Sequence, residues 1–166
     1  GGALMAYDPS APTIAKRIVD DVVSTLRSIR PPDYATDLGA STEQVRTVDG
    51  DVQAFPVADV PVCAVIAQPE AHDDSHITIL FSTKPISLVF GVTGNNADDA
   101  GAKLERLIAE ARIALLEDTQ RGGIARFTSI TATNVFDASK DQRTRSAQMD
   151  LTVEYATPYE DPTTSF

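Results

Sequence analysis

Residues 148–155 read Gln148-Met149-Asp150-Leu151-Thr152-Val153-Glu154-Tyr155, an unbroken alternation of polar and apolar side chains. Successive side chains of a strand point to opposite faces, so the pattern predicts one face on a core and one face in water. A strand wetted on one side belongs to a largely antiparallel sheet, because parallel strands are usually covered on both sides. Just upstream, Ile124 to Phe136 is rich in Thr, Ile, Val and Phe and reads as a partner strand, with Asp137–Ser146 as a charged loop between the two. Further back, Ile77–Phe81 and Ile86–Phe90 read as strands. Lys84-Pro85 between them predicts a tight hairpin or one long kinked strand. Pro61–Ile66 is a short apolar run, expected to be buried on both faces. Val45–Val48 and Asp51–Phe55 flank Asp49-Gly50, a strong hairpin-turn signal. Residues 31–43 and 68–76 read as loops.

Two segments switch to a helical period. Ile14, Ile18, Val22, Leu26 and Ile29 make one apolar stripe. Ser10 or Thr13 is placed to cap it, Pro12 suits its first turn, and Arg30-Pro31-Pro32 stops it. A second helix is predicted from Ala97 to about Asp118 on Leu104, Leu107, Ile108, Ala111 and Leu115, with Ile113 and Leu116 widening the stripe. Asn96 is its expected cap, and Asp98 and Asp99 complement the positive end of the helix dipole. The fold class that follows is α+β: a mainly antiparallel β-sheet packed on one face by two amphipathic helices. Residues 1–11 are expected to form a flexible arm, 12–157 a single domain, and 158–166 a mobile tail carrying Pro158 and Pro162.

Composition narrows the function. A chain of 166 residues suits one domain, which at this size buries roughly 70% of its unfolded surface and needs no staples. Cys63 is the lone cysteine, so no intrachain disulfide is possible. The first residues carry neither the basic nor the apolar region of a signal peptide, and no stretch approaches the about 20 apolar residues of a membrane span. A formal net charge of −10 disfavours stable binding to nucleic acid or anionic membranes. Lys140, Arg143 and Arg145 form the only small basic cluster.

Catalytic motifs are weak. Glu70-Ala71-His72-Asp73-Asp74-Ser75-His76 holds both histidines beside carboxylates, a pattern able to hold a transition metal, but metal sites usually draw ligands from separate elements and no other histidine exists, so it reads as a solvated loop. Gly91-Val92-Thr93-Gly94 precedes a helix but lacks the Lys-Ser/Thr ending of a phosphate loop and the third glycine of a dinucleotide fold. Cys63 lies in an apolar strand with no histidine placed to activate it. No serine sits in a Gly-x-Ser-x-Gly elbow. Catalysis, cofactor and metal are therefore not expected. The Asp137–Ser146 segment exceeds the usual 2–5 residues of a hairpin loop, and long loops often carry interactions.

The order of elements carries a resemblance. An amphipathic first helix leads to the strand pair around Val45–Phe55, then to short apolar strands, then to the helix opened by Gly91-Val92-Thr93-Gly94-Asn95-Asn96-Ala97-Asp98-Asp99-Ala100, then to two strands ending in Met149–Tyr155. From Ile14 to Ala156 this layout resembles the tail terminator (tail-completion) proteins of long-tailed bacteriophages, and related neck and minor tail subunits. The resemblance implies a virion structural protein assembled in the host cytoplasm. It would form a homohexameric ring on the head-proximal end of the tail tube, stop tube polymerisation and join the tail to the neck. Its partners would be copies of itself, the tail tube protein and a neck or connector protein, with DNA passing unbound. Asp49 and Gly50 of the first hairpin, and Lys140, Arg143 and Arg145 of the last loop, are the candidate contacts. The alternatives are another neck or tail-associated connector, or, from a different class, a small metal- or ligand-binding domain using His72 and His76.

Overall fold

The computed structural model describes residues 9–48, 60–73, 78–136 and 143–166. Helix α1 (Ile14–Arg27) starts where Thr13 turns extended and its side chain accepts from Lys16 N at 3.2 Å. It ends at Ser28, and the whole stripe of Ile14, Ile18, Val22, Leu26 and Ile29 is buried. Helix α2 (Ala97–Glu117) is capped by Asn96, whose side chain accepts from Asp99 N at 2.8 Å. The Asp99 carboxylate reaches back to Asn95 N, also at 2.8 Å, completing a reciprocal cap. Leu104, Leu107, Ala111 and Leu115 are buried as expected. Ile113 is not: it lies 61% exposed on the outer side of the helix.

The strands are β1 (Val45–Thr47), β2 (Val62–Ala67), β3 (Ala71–Asp73), β4 (Ile79–Thr93), β5 (Phe127–Val135) and β6 (Thr144–Pro158). They form one sheet in the order β1-β2-β4-β6-β5, with β3 pairing to the free end of β4. All pairings are antiparallel except β1 with β2. Both helices cover one face, so the expected α+β class is what the chain adopts. The core is filled by the α1 and α2 stripes against Ile86, Leu88 and Phe90 of β4 and Met149, Leu151 and Val153 of β6. The opposite face carries the polar half of the alternation, where Ser87 Oγ and Gln148 Nε2 donate to Asp150 Oδ1 at 3.0 and 2.9 Å.

Lys84-Pro85 marks no hairpin. β4 runs straight through it and pairs with β6 over its full length, Ile79 opposite Pro158 and Thr93 opposite Thr144. The carbonyl of Pro85 accepts from Gln68 N at 3.0 Å, so the nitrogen that lacks a proton also points toward the β2/β3 side. That side is vacant of strand there: pairing with β2 ends at Ala67–Ile86 and pairing with β3 begins at Ala71–Thr83. A proline is tolerated where the ladder is already interrupted.

Other differences have similar local causes. Residues 68–76 are not loop throughout, since Ala71–Asp73 adds to β4 with all three residues exposed. A strand with both faces wet shows no alternation. Val45–Thr47 joins β2 in parallel, Val45 opposite Cys63, while Asp49-Gly50 and Asp51–Phe55 lie outside the described residues. The final residues make three backbone hydrogen bonds to the body: Tyr159 N to Thr78 O, Phe166 N to Ala156 O, and Ile14 N to Pro162 O at 2.8 Å. The last supplies a partner to one of the orphan N–H groups at the start of α1.

Candidate functional site

Of the residues singled out for chemistry, the fold keeps Glu70 and His72 together and places Cys63 in the core. His72 lies on β3, and its Nδ1 is 2.8 Å from Ser82 Oγ on β4. Glu70 Oε2 accepts from the Tyr155 hydroxyl and stands 3.9 Å from His72 Nε2. Glu70 Oε1 is 3.4 Å from Lys84 Nζ, which also donates to Gln68 O at 3.2 Å. These groups form a closed polar cluster at the end of the sheet beside a cleft of about 490 Å³. Burial, then the hydrogen bond to Glu70, raises the Tyr155 phenol well above its usual range. Each polar group is answered by another, and the effect is to hold β3 on the sheet.

The contact of Ser82 with His72 is not that of an activated nucleophile. Ser82 is buried in mid-strand, paired to His72 on one side and Tyr155 on the other. Its backbone neighbourhood is taken up by ladder hydrogen bonds, so it offers no donors for an oxyanion. His76 lies outside the described residues, and among those described no three His, Cys, Asp or Glu side chains gather as metal ligands. Cys63 is fully buried, and burial pushes its thiol far up, away from the reactive thiolate.

Gly91-Val92-Thr93-Gly94 also has a packing explanation. A Cβ on Gly94 would stand 2.3 Å from Ala100 N, so the strand end and the first turn of α2 meet only because that side chain is missing. Asp99 fills the anion-favouring helix end.

Of the expected contact residues, Asp49, Gly50 and Lys140 lie outside the described residues. Arg143 is exposed, its Nε donating to Gly94 O at 2.9 Å and its carbonyl accepting from Gly94 N at 2.8 Å. Arg145 belongs to β6 rather than to a loop, opposite Val92. Among the described residues its Nε has no hydrogen-bond partner.

A different feature stands out at the sheet edge. β5, Phe127-Thr128-Ser129-Ile130-Thr131-Ala132-Thr133-Asn134-Val135, contains no charged residue, and among the described residues no strand pairs with its outer edge. Phe127, Val135 and Phe136 are exposed, Val135 by 58%. Between β5 and the flank of α2 lies an open groove of about 580 Å³, lined by Ile108, Leu116, Ile130 and Met149, whose one charged lining residue is Arg112. The sequence hides this edge because a bulge at Thr131 shifts the register between Ile130 and Ala132. Thr128 and Ile130 before it, and Thr133 and Val135 after it, all stand opposite helix-facing residues of β6. The apolar period therefore slips by one in mid-strand.

Compared with known proteins, the chain matches no protein-family model, and no curated protein matches it.

Proposed function

We propose that this protein is a structural assembly subunit rather than an enzyme, and that it works as a phage tail terminator. In this reading copies assemble into a homo-oligomeric ring, a hexamer, on the head-proximal end of the tail tube, stop tube growth and present a surface to the neck. The observation that carries the reading is the β5 edge. Edge strands of monomers are normally shortened, charged or covered, because an open ladder pairs with other chains. Here nine uncharged residues form an edge that no strand covers among the described residues, beside a groove with an apolar lining. A surface of that kind supports a protein whose working state is an assembly. The order of elements adds the terminator identity, by resemblance. A net charge of −10 suits a channel through which DNA passes unbound.

The test is the mass of the protein in solution, alone and mixed with a tail tube protein, together with electron microscopy of both samples. Rings, or tubes capped at one end, are expected. A chain that stays monomeric and never caps tubes ends this reading.

A further inference from the structure

The loop of residues 31–43 is irregular, yet buried side chains fix its middle against α2. The Glu110 carboxylate accepts from Ala35 N at 3.2 Å and from Thr36 N at 3.2 and 3.3 Å. Gln44 Nε2 donates to Asp37 O at 2.8 Å and to Pro61 O at 3.0 Å. Both side chains are buried, which is unfavourable for such groups unless they are paired. Leu38 is fully buried, and the hydrogen bond from its N to Ile29 O at 2.8 Å anchors the loop a residue further on. An irregular segment held this firmly is a preformed wall rather than a mere connector.

The wall encloses a pocket of about 190 Å³ between the loop, the start of β2, the end of β4 and α2. Ala35, Pro61 and Val92 give it an apolar lining, and α2 contributes Lys103 and Arg106. These two cations stand three residues apart, a spacing that puts both on one side of a helix. Lys103 Nζ already lies 3.3 Å from Asp99 Oδ2. Arg106 forms no hydrogen bond or ion pair among the described residues. Asp37, the one acid in the lining, has its Oδ1 engaged by Gly39 N at 3.0 Å and by Arg30 Nε at 3.3 Å. On a chain of net charge −10, an open guanidinium in a preformed pocket marks a place for an anion.

We infer that this pocket binds the carboxylate side chain of an acidic segment in a partner protein, with Arg106 as the recognising group. Its volume of about 190 Å³ is below the roughly 300–1,000 Å³ of pockets that enclose whole small molecules. It therefore takes one side chain and leaves the rest of the ligand outside. The apolar lining suits the methylene stem of a glutamate, and the guanidinium fork matches the two oxygens of its carboxylate. Phosphate fits less well, because the Ala35 and Thr36 amides that could cradle it are already taken by Glu110. The pocket shares no lining residue with the β5 groove, so its role is independent of the assembly reading.

The experiment titrates the isotope-labelled full chain with the blocked tripeptide Ala-Glu-Ala and follows the amide spectrum. Saturable shifts at Ala35, Thr36, Thr93 and Arg106 are expected, with a dissociation constant on the order of 1–10 mM for one isolated side chain. Arg106→Gln should weaken binding at least about tenfold. Arg106→Lys, which keeps the charge and loses the fork, should fall between. Arg106 is exposed, and matching melting curves check that both variants fold. The uncharged tripeptide Ala-Gln-Ala should leave the spectrum unchanged.

Equal binding of Ala-Gln-Ala, or binding unaffected by Arg106→Gln, would overturn recognition of the carboxylate. Glutarate binding more tightly than the acidic peptide would make a free small acid the ligand and overturn the partner side chain. Tighter binding of inorganic phosphate would overturn the carboxylate class. The absence of any saturable shift up to about 50 mM peptide would overturn the site itself. None of these outcomes depends on whether copies of the chain associate, so the ring stands or falls on its own test.

Discussion

Replacing Arg121 with methionine should destabilise the fold by about 3 kcal/mol, within a range of about 2–4. Arg121 is 2% exposed and sits just past the end of α2. Its Nη2 donates to the carbonyls of Leu115 and Asp118, two of the groups that a helix end leaves without partners. Its Nη1 lies 3.3 Å from Asp21 Oδ2 and 3.5 Å from Thr25 Oγ1, both on α1. One side chain therefore closes α2 and ties it to α1. Methionine keeps most of the volume, so the loss falls on the hydrogen bonds. A charged donor to a carbonyl contributes roughly 1.5–3 kcal/mol. The Leu115 carbonyl is buried and would lose its partner outright, while the Asp118 carbonyl is partly open to water. Removing a guanidinium whose burial itself lowers its pKa returns part of the cost.

The ion pair is the smaller contribution. Asp21 keeps about a third of its side chain in water, and burial holds its carboxyl above the usual range despite Arg121. A carboxyl raised in the folded state favours folding in its protonated form, and that contribution fades as pH rises through the folded value. Asp21→Asn should therefore cost less than about 1 kcal/mol at neutral pH. Urea unfolding of the two variants measures both effects. A melting temperature lowered by roughly 6–12 °C for Arg121→Met is the thermal counterpart. If Arg121→Met falls within about 0.5 kcal/mol of wild type, or Asp21→Asn costs as much, the helix-closing role is wrong.

Three further perturbations bear on the same frame. Gly94→Ala places a methyl 2.3 Å from Ala100 N, and should cost at least about 2 kcal/mol in denaturant unfolding; a neutral result would show that β4 and α2 separate freely. Glu110→Ala removes the buried carboxylate that accepts from Ala35 N at 3.2 Å and from Thr36 N at 3.2 and 3.3 Å. It should lower stability by about 2 kcal/mol and speed amide exchange at Ala35 and Thr36 above that of the sheet. The backbone hydrogen bond from Asn95, with help from Lys103, holds Asp99 below the usual carboxylate range. The stability it contributes is present above the unfolded pKa and is lost as pH falls through the folded value. Asp99→Ala should thus lower the melting temperature at neutral pH, with the difference closing in acid; a constant difference would exclude the carboxylate.

Much of the frame was legible because local pattern and final environment agree. The stripe from Ile14 to Ile29, the Thr13 and Asn96 caps, and the alternation of residues 148–155 each report a single, unchanging environment along one element. Where an element changes environment along its length, the pattern fails. β5 changes phase at its bulge, β3 has no buried face, and Ile113 shares the composition of the stripe but not its angle around the helix. Glu110 could not be read from the sequence at all, because its partners, Ala35 and Thr36, are more than seventy residues away.

By itself the sequence determined that this chain builds an acidic α+β domain from two amphipathic helices and a mainly antiparallel sheet, since periodicity, capping and net charge are properties of neighbouring residues or of simple sums. Only the tertiary structure decided that Pro85 lies inside one long strand, that Arg121 closes α2 against α1, and that β5 is an uncharged edge with no strand on its outer side among the described residues. Those outcomes depend on which strand lies beside which, and on where the ladder is interrupted, and strand order is set by packing between segments far apart in the chain.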